Sequence, residues 1–210
     1  MMKSDSPLKL RRKPVQQRSK MTQASILDAF VRLLVEKTYT KLTMRDIALV
    51  AGVGLGTLYE YFPGKKSIAA HCIHERFKNI GTSMQMWIEE LRGLPVIQMT
   101  DILIDRIIGL HAREAEEWSA LILLERQISD IQSYRSLYAH IVSIWGQAIE
   151  AGCDAALYAG KSAEVVHAAV YGLLYQRLML LPHSLSDEEF QQNVKTLVLG
   201  YLQLPADQCK

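Results

Sequence analysis

Several common protein classes are excluded by what this sequence lacks. It has three cysteines in 210 residues, at positions 72, 153 and 209. They form neither a C-x-x-C metal pattern nor a pairwise disulfide framework, so free thiols are expected. No alternation of apolar and polar residues marks a strand, and no hairpin signal is found. No uninterrupted apolar run reaches the roughly 18 residues a membrane span requires. The opening stretch MMKSDSPLKLRRK has no apolar core of the secretory kind. The expectation is a cytoplasmic chain with no membrane partner. No G-x-S-x-G, Walker loop, Rossmann fingerprint or H-E-x-x-H occurs, and no cysteine lies beside an evident base, so neither an enzyme nor a cofactor is expected. His71, His74 and Glu75 lie on adjacent helical turns, and His111 and Glu114 form an i, i+3 pair. Solvated or locally satisfied histidines are the ordinary case, and no second cluster of ligands accompanies them, so no metal is expected.

What is present suits a helical globular protein, with 49% hydrophobic and 22% charged residues. Its net charge of +2 is unevenly spread: residues 1–66 hold thirteen Lys and Arg against five acids, a balance of +8, which leaves −6 on the remainder. A basic head on an acidic body is the electrostatic footprint expected when one end meets phosphate. Residues 1–15 combine Lys3, Lys9, Arg11, Arg12 and Lys13 with Pro7 and Pro14 and few apolar anchors, and are expected to form a mobile basic arm.

The most informative stretch is Thr43 to Lys65, TMRDIALVAGVGLGTLYEYFPGK. Thr43 and Asp46 have capping-box spacing and start a helix at Met44. Gly52 ends that helix, because glycine tolerates the left-handed conformation of a helix C-terminus. Leu55 to Tyr61 then makes a second helix of barely two turns, too short to stand alone, which Leu58 and Phe62 must hold. Its other face carries Gly56, Thr57, Tyr59, Glu60 and Tyr61, residues that suit close approach to phosphates and base edges. Two short helices at a steep angle form a helix-turn-helix, behind which the amphipathic segment around Ile26, Phe30 and Leu34 acts as a brace.

AGVGLGTLYEYFPGKK resembles the signature of the tetracycline-repressor (TetR) family, and the likeness extends back through ILDAFVRLLVEK, covering about the first third of the chain. The resemblance implies DNA contacts from Thr43, Arg45, Gly56, Thr57, Tyr59, Tyr61 and Lys65. Two adjoining positions depart from the family pattern: Gly54 stands where serine is usual and Leu55 where a polar residue is frequent. Both are kept as candidate contacts, Leu55 through a thymine methyl.

Residues 16–66 are therefore assigned to the DNA-binding domain and 67–210 to a helical effector-binding and dimerisation domain, making an all-α chain of about nine helices. In the second domain, helices are expected over 67–91, 96–113, 116–129, 133–158, 162–181 and 187–203, the last opened by a capping box at Ser186 to Glu189. Met84, Trp87, Met99, Leu103, Trp118, Ile122, Tyr171, Tyr175 and Met179, with Arg177 to orient a polar group, are the candidates for lining an apolar or aromatic effector site, plain core packing being the alternative. Val165, Ala168, Ala169, Gly172 and Gln176 on one helix, and Phe190, Val194, Leu197, Val198 and Tyr201 on the next, are the candidates for a two-fold interface in a homodimer, internal core being the alternative. The resemblance implies a dimeric regulator, most often a repressor, that binds a palindromic operator in double-stranded DNA and is released by a small effector. The competing classes are a regulator that answers to a protein partner or to nothing, and a helical ligand-binding protein without a DNA role.

Overall fold

Residues 13–204, which the computed structural model describes, form nine α-helices and three short 3-10 turns, with no strand among them. They divide into two units between Ile68 and Ala69. The first comprises α1 (Lys13–Glu36), α2 (Met44–Ala51), α3 (Leu55–Tyr61) and the start of α4 (Lys65–Glu90). Lys13 to Val15, expected in the arm, are instead the first residues of α1; the rest of the arm, like Cys209, lies outside the described residues.

The core of this unit follows from the helical spacing of its apolar residues. Ile26, Phe30 and Leu34 of α1 are buried, as are Ile47 and Ala48 of α2, Leu58 of α3 and Phe62 just beyond it. Leu58 is fully shielded from solvent, which meets the need of a seven-residue helix for support from its neighbours.

The second unit contains the remainder of α4 and α5 (Val96–Arg113), α6 (Ala115–Ile128), α7 (Ile131–Ala151), α8 (Ala163–Leu180) and α9 (Glu188–Gln203). Cys72, Phe77, Ile80, Met84 and Ile88 give α4 its inward stripe. α8 packs against α6, α7 and α9, and α5 against α6, α7 and α9. The width of the apolar face of α5 is explained by these several neighbours.

Two local expectations are corrected. The helix expected to run to residue 158 stops at Ala151, and a separate 3-10 turn covers Ala155–Tyr158. The intervening segment docks on the start of α5: Cys153 N–H donates to the Leu94 carbonyl at 3.2 Å, and the Asp154 carboxylate accepts from Val96 N–H at 2.7 Å. Asp154 thus caps a helix whose own N-cap is Pro95, which has no side chain able to do so. Close approach makes Gly152 necessary, since a Cβ there would overlap Val96 Cγ2 and lie 3.1 Å from its amide nitrogen. The capping box at the start of α9 does not form. Asp187 stands at the N-cap, but its carboxylate accepts from Arg177 at 2.6 Å instead of from the helix amides.

Candidate nucleic-acid interface and body cavity

The start of α2 and the turn from α2 into α3 are both built by residues read from the sequence. Thr43 Oγ1 accepts from Asp46 N–H at 3.1 Å, and Asp46 Oδ2 accepts from the Thr43 amide at 3.1 Å and from its hydroxyl at 2.7 Å. These bonds from Thr43 are the main reason the Asp46 carboxyl is held below its ordinary range. Gly52 adopts φ 67°, and Val53 N–H donates to the Ala48 carbonyl at 3.0 Å, folding the chain into α3. Gly54 stands at the N-cap of α3 with no side chain to satisfy the first amides of the helix.

Leu55, Gly56, Tyr59 and Glu60 are exposed on α3, Thr57 is half-buried, and Thr43 and Arg45 are exposed at the start of α2. Three of the residues implied as DNA contacts are also committed within the unit. Thr43 serves as the cap just described. The half-buried Tyr61 donates its hydroxyl to Ser19 Oγ of α1 at 3.1 Å. Lys65 directs its ammonium to the carbonyls of Tyr39 and Leu42, at 2.6 and 2.8 Å, and stands 4.4 Å from the centre of the Tyr39 ring. An ammonium has three donors, so at most one N–H of Lys65 is left for a phosphate. Lys66, not singled out from the sequence, is exposed.

In the second unit a cavity of about 270 Å³ lies among α4, α6, α7 and α8. Its lining includes Phe77, Glu125, Tyr134, Leu137, Tyr138, Ile141, His167, Tyr171 and Tyr175. Behind it runs a chain of ring contacts: Tyr138 to His167 at 4.9 Å between centroids, His167 to Tyr171 at 4.6 Å, Tyr171 to His111 at 6.1 Å and His111 to Trp118 at 4.5 Å. Along this chain Tyr171 Oη, His167 Nδ1, His111 Nε2 and Trp118 Nε1 are buried without a hydrogen-bond partner. Orphaned polar atoms of this kind cost about 1–3 kcal/mol each and collect at functional sites. Burial holds both imidazoles at a pKa of about 4, so each is neutral near pH 7. His111 Nδ1 lies 2.8 Å from the Ile107 carbonyl, which can only accept, so Nδ1 carries the proton and Nε2 is a bare acceptor.

Of the candidate effector residues, Tyr171 and Tyr175 line this cavity; the others do not. Met84, Met99, Leu103, Trp118 and Ile122 are core residues, each at most 2% exposed. Trp87 is half-buried beneath the Arg106 guanidinium, Met179 is half-buried, and Arg177 is taken by Asp187 and the Phe190 ring. The lining residues missed from the sequence lie mainly on α7. The usable signal was Tyr134 and Tyr138, four apart on one helix face and followed by Ile141.

The candidate interface residues separate into two groups. Val165, Ala168, Gly172 and Gln176 are exposed along one face of α8, together with Leu173 and Leu180, and Ala169 is half-buried beside them. Leu197 of α9 is also exposed. Val194 and Val198, by contrast, are closed inside the chain's own core, which corrects their assignment to an interface. Phe190 is half-buried, and the half-buried Tyr201 accepts the Ser162 amide at its hydroxyl, 2.9 Å away. Ala168, Gly172 and Gln176 also belong to the cavity lining, so its mouth opens on the exposed apolar face of α8.

Among the described residues, no group of three or more His, Cys, Asp or Glu could hold a metal ion, and no helix is long and apolar enough to cross a membrane. Residues 26–72 match the sequence family described as bacterial regulatory proteins, tetR family. No curated protein matches the chain. Among solved structures, a TetR family transcription regulator from Marinobacter aquaeolei VT8 is similar with a TM-score of 0.70 at 13% identity, covering 89% of this chain and 97% of that one. The fatty acid degradation regulator FadR from Bacillus halodurans gives 0.67 at 17%, covering 92% and 99%. The transcriptional regulator FadR from Bacillus subtilis, in complex with stearoyl-CoA, gives 0.64 at 19%, covering 85% and 96%. At these identities the likeness is one of fold.

Proposed function

We propose that this chain, whose residues 26–72 are those of the tetR family of bacterial regulatory proteins, is a cytoplasmic, homodimeric, sequence-specific repressor that a small apolar or aromatic effector releases from its operator. One observation carries the DNA-binding reading. α3 is anchored from behind by Leu58 and Phe62 and leaves Leu55, Gly56 and Tyr59 outward, just after the left-handed Gly52 turn that ends α2, the helix opened by the Thr43–Asp46 capping box. This is the arrangement by which a recognition helix enters the major groove. Thr57 and Leu55 are assigned to base edges, Tyr59 and Arg45 to phosphates, and the exposed Gly54 and Gly56 to close backbone approach.

The exposed apolar face of α8, joined by Leu197 of α9, is the proposed dimer surface, and two-fold pairing there calls for a palindromic operator. The effector is assigned to the cavity behind Tyr134, Tyr138, Tyr171 and Tyr175. Phe77, which lines it, belongs to α4, and this single helix begins at Lys65 just after the recognition helix. An effector that favours one setting of α4 thereby alters the spacing of the two heads, and release requires only a few kcal/mol of differential affinity between the two states. The test is selection of bound fragments from genomic DNA followed by gel-shift titration at fixed salt. A discrete set of palindromic sites is expected, with preference altered by Thr57→Val; recovery of DNA without a shared sequence would overturn the assignment.

A further inference from the structure

We infer that the cavity among α4, α6, α7 and α8 takes an organic cation with an aromatic or apolar body, held by the Glu125 carboxylate and the tyrosine rings around it. The inference rests on the reading of this cavity as the effector site and names the charge of its ligand.

Glu125 lines the cavity with a side chain more than nine-tenths buried. Its carboxylate has no salt bridge and no hydrogen bond among the described residues, although most carboxylates of this unit are paired, including Glu114 and Glu117 with Arg76 and Glu90 with Arg106. Unlike the Tyr171 hydroxyl and the His111 and His167 ring nitrogens, its oxygens are not sealed from solvent, so an entering cation can reach them and supply the partner that the chain does not. Its negative charge is felt in the site: the Tyr175 hydroxyl is held well above its ordinary range, first by burial, then by Tyr171, Glu125 and Tyr134, with Arg126 opposing.

The rest of the lining suits the same ligand. Tyr134 and Tyr138 stack with ring centroids 6.3 Å apart, and Tyr171 meets Tyr175 edge to face at 5.3 Å, so aromatic surface borders the cavity on α7 and on α8. Ring faces attract a cation and do not repel an apolar body. His167 brings no positive charge near neutral pH. Arg126 is the one basic residue of the lining, and it is exposed where Glu125 is buried. An adjoining hollow, bordered by both residues, adds one further acid, Asp130, whose carboxylate also caps α7 at Ser133.

The experiment is titration calorimetry on the purified full chain with two probes of one shape, phenyltrimethylammonium and its neutral isostere tert-butylbenzene. The cation is expected to bind about tenfold more tightly or better, with Glu125→Gln bringing the ratio near one while the neutral probe's Kd changes little. Tyr134→Leu, at an exposed position that leaves the core intact, is expected to weaken the cation more than the neutral probe, and it decides the matter should Glu125→Gln fail to fold by circular dichroism. Equal or tighter binding of the neutral probe, or a charge preference that survives Glu125→Gln, would overturn the inference. Leu137→Trp, at a half-buried position of the lining on α7 and outside the proposed dimer face, separates this from the wider reading. A neutral probe that binds without charge preference and is lost in Leu137→Trp removes the cation and keeps the effector site. No binding of either probe, or binding that ignores Leu137→Trp, removes both.

Discussion

The Tyr61 hydroxyl donates to Ser19 Oγ at 3.1 Å and ties the last turn of the recognition helix to α1. Tyr59, two residues earlier, is half exposed and has no such tie. The two tyrosines should therefore respond differently to loss of the hydroxyl. Tyr61→Phe is expected to lower stability by about 0.5–1.5 kcal/mol, the net value of one hydrogen bond, and to weaken DNA binding through the loosened helix. Tyr59→Phe should leave the melting temperature unchanged and weaken binding to all sequences alike. Thermal melts and gel shifts on both variants check this.

Lys65 is expected to act mainly as a clamp. Its ammonium satisfies the Tyr39 and Leu42 carbonyls, and Lys65→Met would leave them without that partner at a cost of about 1–3 kcal/mol. Urea unfolding should show the loss. The slope of log affinity against log salt should change by much less than the ~1 expected for a lysine whose main role is phosphate contact.

Gly152→Ala is expected to destabilise the second unit by about 1–3 kcal/mol or more, because the new methyl meets Val96 where the chain caps α5. Gly172→Ala, with open space around its Cβ, should show no such loss. Denaturant midpoints of the two variants make the comparison.

Acid should weaken the fold before the carboxylates titrate. His111 has a folded-state pKa of about 4 against an ordinary 6.5 because burial disfavours its charged form. The unfolded chain therefore binds the proton first. The stabilisation is complete above pH 6.5 and is lost as pH falls toward 4, by about 2 kcal/mol between pH 7 and 5 for this one residue. His167 acts in the same direction. His111→Leu should flatten the fall in urea midpoint over this range; an unchanged fall would show that His111 does not cause it.

The head was legible because its signals are local. The reciprocal bonds of Thr43 and Asp46, the left-handed Gly52 and the stripe through Ile26, Phe30 and Leu34 each need only a few neighbouring residues to specify them. The cavity was not legible. Helical periodicity says which side of a helix turns inward, but not where facing helices fail to fill the space between them. Met84, Met99 and Trp118 turned inward and were consumed by packing, whereas the opening lies against Tyr134 and Tyr138. The same limit explains Val194 and Val198, whose stripe was read correctly as apolar but faces the chain's own core. The end of α7 and the missing capping box at α9 were decided by partners distant in sequence, Val96 for Gly152 and Asp154, and Arg177 for Asp187.

The central claim is that two copies of α3 read one duplex. Selection from a randomised duplex library, followed by footprinting of the enriched site, tests it directly. The expected result is a palindrome with two protected segments centred about one helical turn apart, both lost in the double variant Thr57→Val, Tyr59→Ala, which remains folded. A library that yields no shared sequence, a single protected segment, or protection that persists in the double variant would contradict it.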